Sequence, residues 1–188
     1  MSLRTILVPY DGSAHADDLL RFALDAVREA GGRVVALYVT RIPSSLPLTP
    51  LPAHVDSVGN AALDHAEDVA RRHGYTIETR LARAHDVADA IVGEAEDVLA
   101  DTIIMPSVSG LHLWARWRRA RLVRAVRRQA SCPVLLASLP AGGQLDAAAA
   151  VAAAENAVTT AARAGGRQKT PRRLPGRRES AARQELGR

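Results

Sequence analysis

Seven arginines lie between residues 116 and 128, a segment without any acidic residue. Guanidinium groups bind phosphate through paired hydrogen bonds, so such a cluster can hold a phosphorylated ligand. The alternative is that Arg118, Arg121 and Arg128 form the solvated face of an amphipathic helix and balance the acidic remainder of the domain. The seven arginines are Arg116, Arg118, Arg119, Arg121, Arg124, Arg127 and Arg128.

The residue types that catalyse reactions do not form a convincing pattern. Asp11, Ser13 and His15 are close in sequence, but at the start of a helix the side chains of Ser13 and His15 point in different directions. The six histidines have no spacing typical of a metal site. Cys132, the single cysteine, cannot form an internal disulfide and has no argued histidine partner. We therefore predict no catalytic residues, no metal and no enzymatic activity.

Charge is distributed unevenly along the 188 residues, whose formal net charge is +5. Residues 1–115 carry nine arginines against 16 acidic residues, whereas residues 141–188 carry nine basic and four acidic residues. The net charges are −7 for residues 1–115, +7 for the arginine segment and +5 for the tail. No apolar stretch reaches the roughly 18 residues of a membrane span, and the N-terminus lacks a signal-peptide pattern. We expect a cytoplasmic protein without membrane contact.

The apolar pattern predicts strands that alternate with helices. Short β-type runs end at turn residues, and segments with apolar residues three and four apart follow them. The second predicted helix should carry Val58, Ala62, Ala66, Val69 and Ala70 on its buried side. The predicted strands are 3–9, 33–40, 75–82, 101–105 and 133–138, and the predicted helices are 14–30, 55–73, 86–99 and 115–129.

Five strands joined by helices imply an α/β fold with a doubly wound, five-stranded parallel sheet. Ligands of such sheets bind at the carboxyl ends of the strands, near the switch in strand order. The crevice should therefore lie among residues 9–13, 39–41 and 105–110. The four prolines after the second strand predict a long exposed loop.

Three segments together resemble the universal stress protein family. They are Ile6-Leu7-Val8-Pro9-Tyr10-Asp11-Gly12-Ser13 near the start, Asp101-Thr102-Ile103-Ile104-Met105, and the closing Ser131-Cys132-Pro133-Val134-Leu135-Leu136. The resemblance covers residues 3–138 and implies the adenine nucleotide alpha hydrolase-like fold. It also implies a homodimer that forms through the last strand, residues 133–138.

The family's ATP-binding members carry a glycine pattern, G-x2-G-x9-G-[ST], after the fourth strand, and its backbone amides wrap the phosphates. Here the matching stretch is Pro106-Ser107-Val108-Ser109, and the later pair falls near Ala120-Arg121, so all three glycines are missing. Gly110 can serve as a shifted glycine. Arg116 and Arg119 can replace the amide cradle with charge.

The adenosine side of the implied site is better preserved. By resemblance, Asp11 sits beside the adenine, Val39 packs against the base or ribose, and Pro9 and Met105 form walls. The alternative is structural: an aspartate before a helix caps it, and Val39 and Met105 are ordinary core residues. The predicted nucleotide-binding residues are Pro9, Asp11, Ser13, Val39, Met105, Gly110, Arg116 and Arg119.

We expect a universal stress protein-like domain over residues 1–140, followed by a largely disordered tail, residues 141–188, that is Ala-rich and then Arg-rich. The leading hypothesis is a non-enzymatic, dimeric stress-response or regulatory module with lost or weakened ATP binding and no required cofactor. The alternative is a module that binds ATP or AMP, or a slow ATPase, whose helix-4 arginines hold the phosphates. A third hypothesis is weak polyanion binding by the tail.

Overall fold

A computed structural model describes residues 4–28, 30–48, 56–107 and 113–137, with side chains described from residue 120 onward in the last helix. The predicted tail lies outside these residues. Five strands and four helices alternate: β1 Thr5–Pro9, α1 Ala14–Arg28, β2 Arg33–Arg41, α2 Ser57–Arg72, β3 Glu78–Ala84, α3 Val87–Asp97, β4 Thr102–Pro106, α4 Leu113–Gln129 and β5 Val134–Ala137. The predicted order of elements is confirmed.

The five strands form one parallel sheet in the order β3-β2-β1-β4-β5. The chain first builds outward from β1 to β3 and then returns to place β4 and β5 on the other side of β1. The switch in strand order therefore falls between β1 and β4. This is the predicted doubly wound fold, and in such sheets the switch marks the usual ligand crevice.

Alternating residues of each strand pack against opposite helix layers. Ile6 and Val8 of β1 face α1 and α2, whereas Leu7 faces α3 and α4. All three side chains are fully buried. Because both faces of the sheet are covered, the strands are continuous apolar runs rather than alternating ones.

Helix α2 differs from its predicted packing face. Val58, expected in the core, is 67% exposed, and the buried positions begin instead with Gly59 and Leu63. A Cβ on Gly59 would lie 2.7 Å from Leu81 and 2.8 Å from Tyr38, so only glycine permits this close approach. Close packing against β2 and β3 thus sets the rotation of the helix.

Several other boundaries differ from the predicted ones by one to three residues, and the starts of β3, α4 and β5 are examples. β3 begins at Glu78 rather than residue 75, because Gly74 turns the chain with a φ of +79° and the following residues only approach the sheet. α4 begins at Leu113, two residues earlier than expected. β5 begins at Val134, since Pro133 cannot donate to a strand ladder, and residue 138 lies outside the described residues.

Within the described residues, no helix combines the length and the apolar character that a bilayer crossing demands.

Candidate functional site

A cleft opens at the carboxyl ends of the strands, at the switch point between β1 and β4. Ladder pairing between these strands covers only Ile6 with Thr102 and Leu7 with Ile103. It ends before Pro9 and Met105, and Pro9 has no N–H to continue it. The end of the ladder leaves room for the cleft, which has a volume of about 190 Å³.

Five of the eight predicted nucleotide-binding residues line this one cleft. They are Pro9, Asp11, Ser13, Val39 and Met105. Met105 is 2% exposed, whereas Val39 is half-buried and Asp11 is exposed. Gly110 and the side chains of Arg116 and Arg119 lie outside the described residues. The structure therefore brings together the predicted adenosine side, and the predicted phosphate side stays a prediction.

The turn between β1 and α1 fixes the polar rim of the cleft. Gly12 adopts a φ of +76°, a conformation that glycine reaches without steric cost. Asp11 Oδ1 accepts hydrogen bonds from the Ser13 N–H, at 3.1 Å, and from the Ser13 hydroxyl, at 2.6 Å. Ser13 Oγ in turn accepts from the Ala16 N–H at 3.2 Å. Ser13, not Asp11, caps α1, which corrects the structural alternative for Asp11.

The sequence did not single out several apolar residues that complete the cleft walls. Leu37 is the last residue of β2 that pairs with β1, Val87 and Ile91 come from the first turns of α3, and Leu122 comes from α4. Their place in the cleft follows from topology, because α3 and α4 both start at the carboxyl edge of a parallel sheet.

Tyr10 contributes a ring to the cleft and a hydroxyl to a polar chain behind it. The hydroxyl donates to Asp17 Oδ1, and Asp17 Oδ2 lies 3.1 Å from His65 Nε2 on α2. Burial, and secondarily the bond to Asp17, raises the pKa of Tyr10 far above its usual range. Tyr10 therefore stays a neutral hydrogen-bond donor, and it ties α1 to the end of β1.

His15, for which we predicted no catalytic role, also lines the cleft. The neighbouring Ser13 hydroxyl is donated to Asp11, so Ser13 and His15 do not form a nucleophile and base pair. Burial raises the pKa of the Cys132 thiol, which keeps it protonated and weakly nucleophilic. Among the described residues, no group of three or more histidine, cysteine or acidic side chains is arranged to hold a metal.

Two residues at the junction of β4 with the following loop lack a free backbone donor. Pro106, the last residue of β4, has no N–H, and the Ser107 N–H is donated to the Ala137 carbonyl oxygen of β5 at 2.8 Å. Neither residue therefore offers a backbone N–H to a ligand.

Comparison with known protein families and sequences shows which family this chain belongs to. The sequence profile of the universal stress protein family matches residues 2–138. The chain belongs to the universal stress protein family. A curated universal stress protein of Methanocaldococcus jannaschii is 27% identical over 146 residues, which cover 73% of this chain and 83% of that protein.

Solved universal stress protein structures share the fold. One from Burkholderia pseudomallei is 28% identical with a TM-score of 0.55, and the match covers 73% of this chain and 98% of that chain. One from Archaeoglobus fulgidus, in complex with dAMP, is 24% identical with a TM-score of 0.56, over 72% and 98% of the two chains. A third, in complex with cAMP, is 20% identical with a TM-score of 0.57, over 73% and 98%.

Proposed function

We propose that this universal stress protein is a non-enzymatic regulatory module that binds the nucleoside part of an adenine nucleotide and holds the ATP phosphates only weakly. The observation that carries this proposal is the contrast within the cleft. Its nucleoside side is assembled from Pro9, Asp11, Val39 and Met105, whereas Pro106 and Ser107 offer no free N–H at the start of the phosphate loop.

The nucleoside side has the chemistry that a base and ribose require. Val39 and Met105 supply apolar walls, and the exposed Asp11 carboxylate supplies a hydrogen-bond acceptor at the rim. A cleft of about 190 Å³ is smaller than the roughly 300–1,000 Å³ of sites that bury a drug-sized ligand, which favours part of a nucleotide over all of it. The complexes of two relatives with dAMP and cAMP support an adenine ligand.

The phosphate side argues for weak ATP binding. A phosphate cradle needs several backbone N–H groups that converge on one point. Here the first donor is missing at Pro106, the second serves β5, and no glycine stands at the family positions. AMP has a single phosphate, so the missing backbone donors should weaken its binding less than that of ATP.

A second candidate function is supported by α4. Leu122 lines the cleft, and Arg119 lies three residues, or almost one helical turn, before it. In this alternative, Arg116 and Arg119 hold the phosphates and the protein is an ATP-binding module or slow ATPase. Loss of ATP binding on substitution of these arginines, with AMP binding unchanged, would favour it.

We also propose a homodimer through β5. β5 is the last strand of the sheet, so no other described strand pairs with the backbone groups of its outer edge. Leu136 of β5 is 36% exposed, which is unusual for a large apolar side chain in a strand of this sheet. A second copy of the strand would satisfy both features.

Light scattering of the Leu136→Lys variant tests the dimer. The unsubstituted protein should have the mass of two chains. The measured mass of the variant should decrease towards that of one chain, because the lysine charge would be buried at the dimer interface. Leu99→Lys is the matched control, since Leu99 is 82% exposed and lies outside β5, in the turn between α3 and β4. A monomeric mass of the unsubstituted protein would refute the proposal.

Thermal unfolding of the full chain tests the proposed ligand. AMP at about 100 times its dissociation constant should stabilise the fold by roughly 2.7 kcal/mol, visible as a shift of several degrees. Inorganic phosphate should give no shift, and release of phosphate from Mg-ATP should not exceed the rate without protein. ATP turnover that Arg119→Gln abolishes would replace this proposal with the second candidate.

A further inference from the structure

Three arginines near the end of α4, Arg124, Arg127 and Arg128, have no acidic partner among the described residues, whereas most arginines of the other elements do. In the described body of the domain, six arginines form ion pairs with nearby carboxylates: Arg21, Arg28, Arg33, Arg71, Arg80 and Arg83. Within the same part of the chain, Arg124, Arg127 and Arg128 form no ion pair and are exposed. Their charge is therefore available to an external partner.

These arginines share one side of the helix. At 100° per residue, Arg121, Arg124, Arg127 and Arg128 fall within about a third of the helix circumference. Val123 and Val126, on the other side, are 6% and 0% exposed and pack in the core beneath α3 and α4. We call the four arginines the α4 basic surface, which extends over about 10 Å of the helix axis.

The α4 basic surface is separate from the nucleotide cleft. α4 leads from the carboxyl end of β4 to the amino end of β5, so it runs away from the cleft. Leu122 lines the cleft, and Arg128 lies six residues further, about 9 Å along the helix. Phosphates of a nucleotide in the cleft cannot be the partner of this end of α4.

We propose that the α4 basic surface binds the phosphate backbone of a nucleic-acid duplex without sequence preference. Duplex DNA carries about one charge per 1.7 Å of its axis when both strands are counted, so roughly six phosphates lie within 10 Å of duplex. Arginine binds phosphate oxygens through paired hydrogen bonds, and this chain uses a single lysine, Lys169, among its 25 basic residues. The tail, with a net charge of +5, adds cationic chain beyond β5.

A membrane surface fits the observations less well. Helices that lie in a bilayer surface insert an apolar side beneath their basic residues. In α4 the apolar side is already used, because Val123 and Val126 are buried and Leu122 packs against the same core. The surface offers charge without an apolar anchor, as expected for contact with a phosphate backbone.

Fluorescence anisotropy with the full chain and a mixed-sequence duplex of about 20 base pairs tests the proposal at about 50 to 200 mM salt. The triple variant Arg124→Gln/Arg127→Gln/Arg128→Gln should weaken binding by at least about tenfold. It should also reduce the slope of log K against log salt by about 2.7, at 0.9 per lost phosphate contact. AMP at saturation should leave duplex binding unchanged.

Two control variants remove the same or a similar number of charges elsewhere. Arg21→Gln/Arg28→Gln/Arg71→Gln removes three exposed but ion-paired arginines and should bind the duplex as the unsubstituted chain does. Arg172→Gln/Arg173→Gln/Arg177→Gln/Arg178→Gln tests the tail and should cause a smaller loss than the α4 variant. Thermal unfolding verifies that each variant folds, and single Arg124→Gln and Arg128→Gln variants replace the triple variant if it does not.

Four results would overturn the proposal. The first is an equal loss of duplex affinity in the α4 variant and the ion-paired control, and the second is a loss of affinity confined to the tail variant. The third is the absence of duplex binding at the lowest salt. The fourth is α4-dependent binding to phosphatidylserine vesicles that is tighter than binding to the duplex. Competition by AMP would assign the duplex to the nucleotide cleft instead.

Discussion

The two sides of the cleft are built in different ways. The proposed nucleoside side uses residues that the fold must position in any case: Pro9 at the end of β1, Met105 near the end of β4, and Asp11 in the turn before α1. The proposed phosphate side depends instead on the connection between β4 and α4, where Pro106 and Ser107 offer no free backbone N–H. Core packing can therefore fix the position of one side of the cleft without fixing the donors of the other.

Truncation of the two apolar wall residues, Met105 and Val39, should have the largest effects. It distinguishes a loss of core packing from a loss of ligand binding. Met105 is 2% exposed, so Met105→Ala should lower the free energy of unfolding by about 2–5 kcal/mol. Val39 is half-buried, and Val39→Ala should cost less than this while it weakens AMP binding. Urea unfolding and AMP titration of both variants provide the measurement. A cost for Met105→Ala below that of Val39→Ala would contradict the assignment of Met105 to the core.

Removal of the rim carboxylate tests whether the nucleoside side binds. Asp11→Ala should weaken AMP binding by roughly 10- to 100-fold, because a hydrogen bond to a charged group contributes about 1.5–3 kcal/mol. Asp11 also holds Ser13, so Ser13→Ala is the control. Ser13→Ala should cost about 1 kcal/mol of stability by loss of the helix cap but leave AMP affinity within a few-fold. Equal losses of affinity in the two variants would assign the effect to the cap.

Restoration of glycines tests the phosphate side. Pro106→Gly/Ser109→Gly returns two of the three family glycines and one backbone N–H. We expect ATP affinity to increase by up to about tenfold, or 1.4 kcal/mol, with AMP affinity changed less. Calorimetric titration of both nucleotides checks this. An equal increase for AMP and ATP would show that the substitution reshapes the nucleoside side and not the phosphate loop.

An ion pair beyond the cleft makes stability depend on pH. Arg83 donates to both carboxylate oxygens of Asp56, and the hydrogen bonds from Arg83 lower the pKa of Asp56 below 3.8. The pair thus stabilises the folded state above that value, and its contribution disappears as the pH falls through the lowered pKa. Asp56→Asn should reduce the unfolding temperature at neutral pH and approach the unsubstituted protein in acid. A difference that stays constant with pH would contradict this role for Asp56.

Local sequence signals predicted the sheet and most of the cleft. Apolar runs, the Gly74 stop and the Asp86 cap are short-range features, and the Asp86 carboxylate accepts from the Ala88 N–H as expected. The features that were predicted incorrectly or not predicted depend on contacts between residues that are far apart in the sequence. Val58 turned outward because Tyr38 and Leu81 require a glycine at position 59. The use of the Ser107 N–H by Ala137 likewise depends on β5, 30 residues away in the chain.

The ratio of two affinities tests the central claim most directly. Titration calorimetry of the full chain gives the dissociation constants of adenosine and Mg-ATP under one condition. Weak phosphate binding predicts that adenosine binds and that the two constants agree within about tenfold, or 1.4 kcal/mol. ATP bound more than about 100-fold tighter than adenosine, a difference of about 2.7 kcal/mol, or no adenosine binding at all, would contradict the account.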